Sequence, residues 1–137
     1  MIIDSDHNSK ISKKYFFIEG KIQVDSDYFI NKIKEGFKNS NNMSYITSVK
    51  DEVTPFGYFD KDEKFSKVLQ NFIKYIDKNY RMNKYELMSS WGFKGGLGSK
   101  TELHDHSGRA WCGVLYLNDH KQTLNFPEIN KKITPKK

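Results

Sequence analysis

Two stretches of the chain repeat apolar residues at helical spacing. Phe29, Ile30, Ile33 and Phe37 fall at i, i+1, i+4 and i+8, which is one face of a helix. Asp25 or Ser26 is its expected cap, and Asn39-Ser40-Asn41-Asn42 its break. A longer stripe of Phe65, Val68, Leu69, Phe72, Ile73 and Ile76 predicts an amphipathic helix over 62–80 whose apolar face is core. Between the helices, Thr54-Pro55-Phe56-Gly57 reads as a turn.

The remaining apolar segments are short, β-branched or aromatic, and read as strands. They cover 14–24 (with a bend at Gly20), 44–53, 85–93, 111–117 and 123–126, the last ended by Pro127. Trp111 to Leu117 is apolar enough for a buried strand, Asn118-Asp119-His120 is a turn, and a further segment begins at Ile133. Helices come first and strands later, which places the chain in the α+β class. The expected organisation is a flexible terminus over 1–13 and a single domain over 14–137, helix-rich to 84 and strand-rich from 85. There are no internal repeats.

Length and composition narrow the choice of partner. A chain of 137 residues holds one domain with a modest core. Ten Phe, eight Tyr and two Trp supply much of its apolar volume. The net charge of +6 raises nucleic acid as a partner, but only Arg81 and Arg109 are arginines among 23 basic residues. Forked recognition of phosphates and base edges favours Arg over Lys, so a solvated lysine surface is expected instead. No segment reaches the roughly 18 apolar residues of a membrane helix, and the N-terminus has no signal-peptide pattern. A lone cysteine, Cys112, excludes an internal disulfide and fits a reducing cytoplasm.

The candidate chemistry lies in Gly98-Ser99-Lys100-Thr101-Glu102-Leu103-His104-Asp105-His106. On a strand, residues i and i+2 share a face, so His104 and His106 would project together and Asp105 away from them. Two converging imidazoles make half of an open metal site for zinc, iron or nickel. Spacing alone favours two loop histidines facing solvent. The surrounding motifs shift that balance.

Trp91, the Gly-rich approach, His104-Asp105-His106, Gly113-Val114-Leu115-Tyr116-Leu117, Leu124-Asn125-Phe126-Pro127 and Ile133-Thr134-Pro135-Lys136 occur in an order that resembles the 2-oxoglutarate/Fe(II)-dependent oxygenases. The likeness is to the small oxygenases of phage and marine-bacterial type, and it spans roughly 85–136. It implies helices packed on a partial double-stranded β-helix (jelly roll) that binds ferrous iron and 2-oxoglutarate. His104 matches the first metal ligand of the family. His106 stands where most members have Asp or Glu. The implied activity is oxidative decarboxylation of 2-oxoglutarate coupled to hydroxylation of a small-molecule or protein substrate. The implied location is the cytoplasm, a host's in the phage-type case.

Several departures qualify the resemblance. The family's distal His, and the Arg or Lys that pairs with 2-oxoglutarate, have no counterpart in this chain. The expectation is therefore a C-terminally truncated domain, inactive alone, whose open sheet edge pairs with another chain or itself. His120 comes too early to be the distal ligand and reads as a surface residue. Arg109 is off the clamp position, and Cys112 stands where relatives have Ser and reads as core. Two other readings remain. One is a non-catalytic half-jelly-roll binding or assembly module. The other is a cupin-like metal protein completed by homodimerisation, although Ala110 and Trp111 replace the cupin Glu.

Overall fold

A computed structural model of the chain describes residues 2–3, 16–38, 52–80, 86–96, 101–104, 106 and 111–136. The described elements are an α+β mixture of two helices and three two-stranded antiparallel pairings. Internal contacts gather into two compact units. One is Val24–Leu103; the other joins Met1–Gln23 to His104–Lys137. Among the described residues no helix is long and apolar enough to cross a membrane.

Helix α1 (Ser26–Phe37) and helix α2 (Glu63–Tyr80) lie in the first unit. Asp25 caps α1 by accepting from the Tyr28 amide at 3.1 Å, and its other carboxylate oxygen meets Lys64 Nζ at 2.6 Å. The hydrogen bond from Lys64, then that from the amide, holds the Asp25 carboxyl below its usual range. Asp62 caps α2, accepting from the Phe65 amide at 2.9 Å. Both helices carry an acidic residue in the first turn and a lysine in the last, Asp27 with Lys34 and Glu63 with Lys78.

Asp62 does more than cap. Its second oxygen takes the Tyr28 hydroxyl at 2.5 Å and Lys32 Nζ at 2.9 Å, both from α1. The side chain is only 2% exposed, so an unpaired carboxylate there would be costly. Burial raises its pKa, but the hydrogen bonds from Lys32, Tyr28 and the Phe65 amide outweigh that and bring it to about 2. The same contact raises the pKa of Lys32 and of Tyr28.

Among the described residues, Phe29, Val53, Phe59 and Ile76 are the buried hydrophobic residues of this unit. Phe59 is the hub, with ring centroids 5.1 Å from Tyr58, 5.8 Å from Phe65 and 6.0 Å from Phe29. Strand β3 (Glu52–Val53) pairs with β4 (Phe93–Lys94) in the register Val53 to Phe93. Beyond the ladder, Thr54 holds Gly92 twice. Its amide donates to the Gly92 carbonyl at 2.9 Å, and its hydroxyl accepts from the Gly92 amide at 3.0 Å. Asp60 likewise accepts from the amide and the hydroxyl of Ser90, at 2.8 and 2.5 Å.

These side-chain clamps correct the strand expected over 85–93. Of its described residues only Phe93 is in a ladder, and Asp60 and Thr54 take the Ser90 and Gly92 amides that a partner strand could otherwise hold. Tyr85 and the 44–51 part of the preceding predicted strand lie outside the described residues, as does the Asn39–Asn42 break.

In the second unit, β1 (Ile2–Ile3) pairs with β2 (Phe16–Phe17). Ile2 and Ile3 belong to the stretch expected to be irregular, yet they form strand. The strand expected to reach residue 24 stops at Phe17, and 19–23 are all exposed. Strands β5 (Leu124–Phe126) and β6 (Lys131–Ile133) form a hairpin with Leu124 opposite Ile133. Pro127–Ile129 makes one 3-10 turn, and Asn130 closes it in the left-handed region at φ 50°. Phe17 packs on Phe126 with centroids 5.3 Å apart, and Lys131 Nζ sits 4.0 Å from the Phe17 ring centre.

Two predictions follow from the first unit. Asp62 has a lower pKa folded than its ordinary 3.8, so its contribution is present above about pH 4 and is lost as pH falls toward 2. Urea titrations at pH 5 and pH 2 should show the native chain losing about 2 kcal/mol more than Asp62→Asn over that range. Equal losses would contradict the role given to Asp62. The second concerns close packing. A Cβ on Gly92 would strike the Ile33 side chain, and one on Gly36 would lie 2.7 Å from Thr54 Cγ2. Overpacking costs about 1–3 kcal/mol, and Ala in place of a helical Gly returns about 1 kcal/mol. Gly36 is helical and Gly92 is not, so Gly92→Ala should lower the urea midpoint more than Gly36→Ala.

Candidate metal centre

His104 and His106 both belong to the second compact unit, and both are exposed. Their rings meet edge to face, with centroids 4.9 Å apart and planes at 72°. The two Nε2 atoms are 3.2 Å apart. The convergence expected from the i, i+2 spacing is therefore present, although neither His104 nor His106 is in a strand. Asp105, between them, lies outside the described residues.

The 3.2 Å separation has two chemical meanings. It is within reach of an N–H···N hydrogen bond, which requires one ring to carry hydrogen on Nε2 and the other to present a lone pair. It is also a ligand-to-ligand distance. Two nitrogens bound about 2.0–2.1 Å from one ion stand about 2.8–3.0 Å apart at a right angle and about 3.3–3.4 Å at the tetrahedral angle. The observed value falls between these, so one ion can meet both nitrogens after a small adjustment. Nitrogen donors of this kind suit zinc, copper, nickel and iron. Among the described residues no group of three or more His, Cys, Asp or Glu side chains is placed to hold a metal.

The residues around the pair differ from the sequence expectation. Leu103, next to the pair, is 76% exposed. Trp111 to Leu117 is not a buried strand. Cys112 makes an isolated bridge, Gly113 and Val114 are exposed, and the chain bends at Leu117 and Asn118. That bend brings the Tyr116 ring edge-on to His120, with centroids 4.9 Å apart, so the run folds back where a strand would continue. Burial raises the pKa of the Tyr116 hydroxyl.

His120 is half-buried, and its amide donates to the Pro135 carbonyl at 3.0 Å. Cys112 and Trp111 are half-buried. Gly98, Arg109 and Ala110 lie outside the described residues. What the motif reading missed is the polar cluster of Tyr28, Lys32 and Asp62. Its one visible signal was the i, i+4 spacing of Tyr28 and Lys32 on a helix face.

No protein-family model matches the chain, and no curated protein or solved structure matches it.

Proposed function

We propose that the chain is a divalent-metal protein in which His104 and His106 are ligands to one ion. The activity best suited to it is that of a non-haem Fe(II)/2-oxoglutarate-dependent oxygenase. The observation that carries the metal reading is the approach of the two Nε2 atoms to 3.2 Å, a spacing that two ligands of one ion can share. Support for iron and 2-oxoglutarate comes from the order of sequence motifs around the pair and from the imidazole donors. Bound ferrous iron would supply oxidative decarboxylation of 2-oxoglutarate coupled to substrate hydroxylation. The chain's own part is to hold two exposed ring nitrogens together. A jelly-roll arrangement of the strands belongs to the same proposal.

Anaerobic titration with ferrous iron tests it. Losing an outer-shell partner already costs about 10–100-fold in metal affinity, so loss of a direct ligand should cost at least that. His104→Ala, and separately His106→Ala, should therefore weaken iron binding by tenfold or more. Adding 2-oxoglutarate to the iron-loaded chain should produce a visible charge-transfer band. Iron binding unchanged by either substitution would refute the metal site. Histidine-dependent binding with no band would keep the metal site and remove the oxygenase reading.

A further inference from the structure

We infer that the His104 and His106 pair of one chain shares a zinc-class ion with the same pair of a second copy, forming a metal-bridged dimer. The inference rests on the metal-binding reading above and adds the partner; four imidazoles leave no open position, so the zinc-bridged dimer is a structural state distinct from the iron-loaded oxygenase form. One chain's pair occupies two positions of an ion that is most often four-coordinate and tetrahedral in protein sites. The pair is also on the surface: His104 and His106 are both exposed, so another chain can reach the same ion. A two-fold axis through that ion closes the arrangement, because each copy presents the same two nitrogens to the other. The result is four imidazoles around one ion, a complete tetrahedral set drawn from one exposed dipeptide spacing.

Charge makes this pairing conditional on the metal. Each chain carries +6, so two metal-free copies repel, most strongly at low salt. The ion must supply the attraction through its ligand bonds. Dimerisation should accordingly follow zinc occupancy and strengthen as salt screens the lysines.

Sedimentation velocity of the full chain during titration with zinc chloride, with bound zinc measured alongside, provides the test. The 16.1 kDa chain should double in mass and saturate at about half an equivalent of zinc per chain. EDTA should reverse the change. His104→Gln and His106→Gln should each remain monomeric in zinc, with far-UV circular dichroism unchanged because both side chains are exposed. One zinc per monomeric chain would overturn the bridged dimer and leave the metal-binding reading intact. Zinc uptake indifferent to both histidines would overturn the two together. A dimer that persists in EDTA would also overturn the inference, since the metal would then not be the bridge.

Discussion

Asp62 ties the two helices together at their starts. Its carboxylate receives one donor from its own helix, the Phe65 amide, and two from α1, Tyr28 and Lys32. Its backbone is also engaged, with the amide donating to Phe59 and the carbonyl accepting from Ser66. A carboxylate this deeply buried is unfavourable unless fully bonded, and here both oxygens are used. The cluster is a geometric constraint as much as a source of stability. Tyr28 and Lys32 can reach one carboxylate only if the first turns of α1 pass beside the first turn of α2. Lys64 reinforces the same corner, bonding Asp25 and lying 4.1 Å from the Tyr28 ring centre.

That corner decides how the small core closes. With α1 held beside the start of α2, Phe29 faces Phe59, and the 54–60 turn is pressed between the helix and the 90–92 segment. Close backbone approach is part of the fit there. Gly36 admits Thr54 and Tyr58, and Gly92 admits Ile33, at distances a Cβ would forbid. Thr54 shows why polar groups are tolerated inside. It is fully buried, yet its hydroxyl donates to the Pro55 carbonyl and accepts from Gly92.

Local features were legible in the sequence where a local rule governs them. The apolar stripes placed both helices to within a residue or two, Asp25 was a readable cap, and β5 lay within the Thr123–Phe126 run. What escaped was long-range. Asp62 was legible as a helix start, but nothing in its neighbourhood announces partners 30 and 34 residues upstream. The strand expected over 85–93 failed for a related reason. Its apolar residues fit a strand, but Asp60 and Thr54 captured its amides from outside the window that a periodicity reading inspects. The histidine pair was legible as a convergence, although the strand meant to produce it is absent at those residues.

The central functional claim is that the two histidines act as one ligand unit. Long-range nitrogen–proton NMR of the imidazole rings, followed through a zinc titration, tests it most directly. The Nε2 resonances of His104 and His106 should move together and saturate at the same zinc concentration, while those of His120, engaged with Tyr116, stay in place. Movement of one member of the pair without the other, or an equal response from His120, would contradict the claim.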